Sequence, residues 1–310
     1  MSDAYYTETG PRPELAALEV NPIEGFIGDR IYPTVPVMQK TSYVYYRTIT
    51  ADGSAQTNRS TLTAPDATAL TGTSTTYTCT EAIERASISP EEVKTYGGIE
   101  KCDQYGSKWA KRQVMRAKEA AIVTLVLGTR TVDATFDAGK LQLQISDAVD
   151  AVSLYSGKTA LITSTKVLRG IWMALLKDNT LGASVARIVT GGNPGAAAQG
   201  LGLEAIKAAL AMTFGVDEIL CGKSDQWNAT TVSGRFCIAK LDDSGDPMSQ
   251  LTDAVLGKCF QFMPDGMNPW YIESIADRLN KANHWDAQMW YNAKTFNSDA
   301  MYLFSGVPVA

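Results

Sequence analysis

Between Ser107 and Leu127 apolar residues recur at Ala110, Val114, Ala117, Ala121 and Leu125, with Ile122 and Val126 widening the row. Steps of three and four residues belong to a helix with one buried face. At 1.5 Å per residue this is a rod of about 30 Å, and Gly128 is placed to end it as a C-cap. The same spacing returns in Leu141–Tyr155, where Leu141, Ile145, Ala148, Val149 and Val152 share one side, and helices are also predicted over Lys166–Leu176 and Leu203–Phe214. Short β-compatible runs lie between them: Thr159–Thr163, Ala186–Thr190 and Val216–Leu220. Helix and strand in alternation predict an α/β body. From Arg235 onward strand patterns dominate, broken by turns at Asp242–Asp246 and Pro264–Gly266. No internal repeat is visible.

The first third reads differently. Pro13–Leu18 has a short helical pattern, with Pro13 suited to a first turn and Asn21-Pro22 ending it. Gly25–Val37 is apolar enough to pack, while Pro33 and Pro36 keep it extended, so it predicts an arm lying across its own body or a neighbour. The arm has no pattern of its own that builds a core. Tyr43–Ile49 and Thr76–Ile83 are strand candidates on either side of Ala51–Thr76, a stretch with hardly a large apolar residue. They predict a hairpin whose long polar tip projects and finds its partner elsewhere.

Composition narrows the class. The chain has 310 residues, 45% of them hydrophobic and 20% charged, which suits a soluble globular protein with one large or two modest cores. A net charge of -5 argues against a protein whose main work is gripping phosphates, though not against one that encloses nucleic acid. No apolar run approaches a membrane span. Met1–Glu8 is polar and acidic, unlike a signal peptide, so the expected compartment is the cytoplasm.

Candidate chemistry is sparse. Cys79, Cys102, Cys221, Cys237 and Cys259 form no close pair and read as buried free thiols, and His284 has no second ligand or catalytic partner nearby in sequence. Gly200-Leu201-Gly202-Leu203-Glu204-Ala205 fits a loose dinucleotide spacing, but about ten loop residues separate it from the preceding strand. Asp242, Ser244, Asp246 and Asp253 match four positions of a calcium loop, yet Pro247 stands where that loop turns on glycine. Lys108, Lys111, Arg112, Arg116 and Lys118 crowd the first half of the long helix. They are either a solvated face or a surface for phosphate or an acidic neighbour. No catalytic, cofactor or metal residue is assigned. The enzyme alternative is a nucleotide-dependent activity built on the Gly191–Glu204 loop.

Taken in order, the arm, the polar hairpin, the long helix, the α/β body and the aromatic final β segment resemble the major capsid proteins of tailed bacteriophages. The residues that carry the resemblance are Gly25–Val37, the helix ending in Leu125-Val126-Leu127-Gly128, and Phe214–Leu220. It implies an α+β fold of the Hong Kong phage type. Its parts would be an N-terminal arm (1–40), an extended hairpin or E-loop (41–88), a peripheral domain with a spine helix (89–156), an axial domain (157–265) and a return to the peripheral domain (266–310).

The resemblance further implies a non-enzymatic subunit that assembles with itself, as hexamers and pentamers, into an icosahedral virion shell around double-stranded DNA. Assembly would take place in the host cytoplasm, with scaffolding, portal and decoration proteins as further partners and no membrane. A tail or decoration protein is the other virion reading. Some members of the family join subunits by an isopeptide bond from a hairpin lysine. Here Thr41–Val93 contains no lysine, only Arg47, Arg59 and Arg85, and a guanidinium does not act as that nucleophile, so a non-covalent shell is expected.

Overall fold

A computed structural model describes residues 6–20, 23, 25–49, 73–177, 202–263 and 268–309. Its strands are β1 (Gly10–Pro11), β2 (Thr34–Val37), β3 (Thr41–Tyr46), β4 (Thr73–Thr78), β5 (Thr80–Ile88) and β6 (Ala134–Thr135). They continue with β7 (Lys158–Ser164), β8 (Glu218–Gly222), β9 (Phe236–Leu241), β10 (Gly257–Phe262), β11 (Tyr271–Asp277), β12 (Ala282–Thr295) and β13 (Met301–Ser305). The α-helices are α1 (Pro13–Ala16), α2 (Gly28–Ile31), α3 (Pro90–Tyr96), α4 (Ile99–Val123), α5 (Leu141–Val152), α6 (Thr165–Lys177) and α7 (Leu203–Phe214). The predicted strand Ala186–Thr190, the Gly191–Gly195 loop and the Pro264–Gly266 turn lie outside the described residues, as do Gly200 and the hairpin tip.

The five-stranded sheet runs β6-β13-β9-β7-β8 and is buried on both faces. Alternation along each strand divides its side chains. Leu161, Phe236, Ile238 and Phe304 face the core built with α5, α6 and α7. Ala160, Ile162, Cys237, Ala239 and Leu303 face a second core, closed by Ile122, Val126 and Leu127 from the end of the long helix. Burial on both sides explains why these strands read as continuous apolar runs.

The second sheet is organised by β12. One of its edges pairs with β5, and β11 and β10 pair with successive stretches of the other, Ala282–Gln288 and Trp290–Thr295. Strand β2 adds parallel to β10, from Thr34 opposite Cys259 to Val37 opposite Phe262. That makes β2 an edge strand, the position where Pro36 and its missing N–H are tolerated. These pairings cross the division expected near residue 265. Gly257–Phe262 joins the sheet of β12, while Met301–Ser305 joins that of β9, because each completes an apolar face there.

Helix α4 starts eight residues before the predicted Ser107, at Ile99. Its first turns bury Cys102, Asp103, Gly106 and Ser107, small or polar residues that leave no apolar signature. Farther along, Ala117 and Ala121 are exposed, and the buried row is Ala110, Val114, Lys118 and Ile122. Gly128 is no left-handed cap; it closes a π turn, Thr124–Gly128, whose Leu127 and Gly128 carbonyls accept from the Arg235 guanidinium.

Strands β3 and β4 form the base of the hairpin, paired from Thr41 opposite Thr78 to Tyr46 opposite Thr73. This base is not without a core. Val44 and Tyr77 are buried, Tyr77 stacks on Phe260 at 4.4 Å and Tyr46 on Phe296 at 5.0 Å. The opposite face carries Tyr43 and Tyr45 into solvent, 71% and 59% exposed. After Cys79 the chain leaves the pair and enters the sheet of β12 as β5.

Candidate functional site: the arm clamped on the long helix

Of the two surfaces expected for the arm, its own body and a neighbour, the structure shows its own: Ile31 and Tyr32 are 1% and 0% exposed, packed among Ile122, Val126, Leu256 and Cys259. What holds it is a row of polar side chains on the buried face of α4. Asp103, Lys111 and Glu119 are eight residues apart, each step turning about 80° round the helix; all three are buried, and they span about 24 Å along it.

At the first position Asp103 Oδ1 accepts from Thr7 Oγ1 at 2.7 Å and from Trp285 Nε1 at 2.9 Å, and its Oδ2 faces Arg12 at 3.5 Å. At the second, the fully buried Lys111 donates to the carbonyls of Leu15, Ala16 and Leu18 at 2.9, 2.8 and 2.8 Å. These carbonyls lie at and just beyond the C-terminal end of α1, where a helix leaves acceptors unpaired and favours positive charge. At the third, Glu119 accepts from the backbone N–H of Ile27 (2.8 Å) and Gly28 (3.0 Å) and from Trp227 Nε1 (2.7 Å). The two N–H groups open α2, the end that leaves donors unpaired. Beside it Lys118 Nζ contacts Asp29 Oδ1 at 2.6 Å and Thr34 Oγ1 at 3.1 Å.

Charge and partner therefore match: the ammonium of Lys111, which has only donors, takes carbonyls, and the acceptor-only carboxylate takes N–H groups. Burial and the nearby Lys108 push the Lys111 ammonium down to about 8. Burial raises Glu119 above the ordinary carboxylate range, against the hydrogen bonds that favour its ionised form. Close approach also selects glycine at position 28, where an added Cβ would lie 2.5 Å from Glu119 Oε2. Two members of the basic run, Lys111 and Lys118, are thus neither solvated nor a phosphate surface. The charge pattern along the helix does not mark Asp103, Glu119, Trp227 or Trp285 as members of this arrangement.

The other candidate residues are dispersed. Asp242 accepts from Ser244 Oγ at 2.7 Å, from Ser249 Oγ at 2.6 Å and from Lys258 Nζ, so a lysine ammonium already stands beside the carboxylate. Burial drives its pKa up, but these bonds outweigh it and hold Asp242 at about 2. Asp253 accepts from Thr252 instead, and no group of three metal-ligating side chains exists among the described residues. Gly202 caps α7, and Glu204 pairs with Lys207 at 2.9 Å. His284 Nδ1 meets Ser87 Oγ at 2.8 Å. All five cysteines are free and buried; burial pushes Cys79 and Cys259 up to about 11 and Cys221 to about 12.

No protein-family model and no curated protein sequence matches the chain. Solved structures do. A phage-related protein from Bordetella bronchiseptica aligns over 98% of this chain and 100% of its own, at 15% identity and a TM-score of 0.65. The capsid of a native GTA particle aligns over 94% and 93% at 13% identity and 0.52. A virus-like particle from Pyrococcus furiosus aligns over 89% and 90% at 9% identity and 0.52. The likeness runs from end to end. The chain has the α+β capsid fold of the Hong Kong phage type, with an arm, a hairpin and a long helix in the expected order.

Proposed function

We propose that this chain is the major capsid protein of a tailed phage, a non-enzymatic subunit that builds an icosahedral shell of hexamers and pentamers around double-stranded DNA. The observation that carries the reading is the end-to-end match of its fold to a phage-related protein and to the capsid of a GTA particle. The hairpin supports it: its Tyr43 and Tyr45 face is spread over solvent and needs a neighbour to cover it. In this reading the six-stranded sheet with α4 is the peripheral domain, the five-stranded sheet with α5 to α7 is the axial domain, and the hairpin based on β3 and β4 is the E-loop. Scaffolding, portal and decoration proteins are its partners, and assembly proceeds in the host cytoplasm before the protein resides in the virion.

The test is expression of the full chain followed by negative-stain imaging and nuclease digestion. Closed shells or capsomers are expected, with nuclease-resistant DNA in filled particles. A monodisperse monomer at high concentration would overturn the proposal. Thermal stabilisation of such a species by nucleotides would favour the enzyme reading in its place.

A further inference from the structure

The buried face of α4 holds the arm; its opposite face has no partner among the described residues. Lys101, Arg112 and Arg116 are exposed there and Lys108 is half-buried, none of the four in an ion pair among the described residues. The acids Asp103 and Glu119 point inward, which leaves Glu100 as the one acidic side chain exposed on the helix. Interleaved with the cations are Tyr105 and Trp109, 52% and 40% exposed, and Tyr96 of α3 stacks on Tyr105 at 5.5 Å. The stripe therefore combines positive charge with fixed ring surfaces, in a protein whose net charge is -5.

We infer that this exposed face of α4 is a nucleic-acid contact surface that takes the phosphodiester backbone of duplex DNA without reading sequence. The inference rests on the shell reading for its setting and assigns the face that meets the enclosed DNA. From Lys101 to Arg116 the stripe is about 22 Å long, against which a duplex presents roughly 13 phosphates. Four cations neutralise only part of these. Binding of that kind is weak, salt-sensitive and indifferent to sequence, as suits DNA that has to be packed and released. The aromatic rings add contact area against sugars or unpaired bases, and rings interleaved with cations are common to nucleic-acid surfaces.

The experiment uses the full chain and a labelled random-sequence duplex, with binding followed by anisotropy across a salt series. Replacing Lys108, Arg112 and Arg116 together with alanine should lower the slope of log affinity against log salt by about 2.7, close to 0.9 for each lost contact. Tyr105→Ala with Trp109→Ala should weaken binding with the slope unchanged. Lys166→Ala with Arg169→Ala, exposed cations of α6, should change neither.

An unchanged slope in the triple variant overturns the inference, as does competition by polyglutamate equal to that by DNA, which would make the face a site for an acidic protein. In assembled particles, hydroxyl-radical labelling of Trp109 should be high in DNA-free shells and low in filled ones. Protection in DNA-free shells would make the stripe a contact between subunits and overturn the inference, while the shells themselves would leave the capsid reading standing.

Discussion

Lys111→Met is the sharpest perturbation of the arm clamp, because methionine is unbranched, keeps most of the length of the side chain and removes its charge and donors. Three bonds are lost, to the carbonyls of Leu15, Ala16 and Leu18. Bonds to a charged group contribute about 1.5–3 kcal/mol each, roughly 5–9 kcal/mol together. Opposing them is the burial of the ammonium. Its fall from 10.5 to about 8 corresponds to about 3 kcal/mol against the charged form. The bonds win, and the variant should loosen this part of the arm by about 3 kcal/mol, a hundredfold or more in its released population. The body should keep its melting temperature, since no unpaired charge is left inside it.

Hydrogen-exchange mass spectrometry reads both effects. Peptides covering residues 7–18 should exchange faster, while residues 27–35, held by Glu119 and Lys118, keep their protection. A pH series gives a second check. The docked arm lowers the pKa of Lys111, so the released state binds more protons between pH 8 and 10.5, and docking should strengthen as pH rises through that window. The variant should lack the rise. Unchanged protection over residues 7–18, or equal loss over 27–35, would refute the idea that Lys111 acts locally on the arm.

Three further outcomes follow from the geometry. Asp242, held at about 2 instead of 3.8, contributes about 2 kcal/mol that is present above pH 3.8 and lost as pH falls through 2; Asp242→Asn should remove this acid dependence and, by leaving Lys258 buried without its partner, lower stability by about 3–5 kcal/mol in urea unfolding. Gly106→Ala would place a methyl 2.4 Å from Trp285 Cε3, so it should destabilise by about 1–3 kcal/mol, and the stabilisation usual for alanine in a helix would count against the packing described. Mature particles boiled in SDS with reductant should release a chain of 33.4 kDa, because no lysine lies between Thr41 and Val93; a ladder of covalent oligomers would point to a lysine outside the hairpin.

Much of the fold was legible because its cores are apolar and regular. Leu141, Ile145, Ala148 and Val152 sit buried on one face of α5 as their spacing predicts, and the runs around Leu161 and Ile238 are strands buried on both sides. The start of α4 was not legible, because Gly106 and Ser107 are selected by the closeness of Trp285 and of the sheet, a condition that periodicity does not express. Strand exchange between the sheets was equally hidden. The sequence around Cys259 and Leu303 shows that both segments are strands and says nothing of which sheet completes its face with them.

The clamp was misread for a physical reason. A lysine run on a helix usually means solvation, and that reading fits Arg112 and Arg116, which are exposed. Lys111 belongs to the same run, yet it is buried, where the end of α1 and the residues just beyond it present three carbonyls to its ammonium. Its partners are main-chain atoms, so no acidic residue in the arm advertises the pairing, and the same holds for Glu119 with the N–H groups of Ile27 and Gly28. A buried charge satisfied by backbone leaves a trace only in spacing. Asp103 and Lys111 lie in the sector that also carries Ala110, Val114 and Ile122, polar groups placed where a helix should be apolar, while Glu119, a further 80° or so round the helix, carries no such mark. That conflict between residue type and position, at Asp103 and Lys111, is the one signal the sequence held for the clamp.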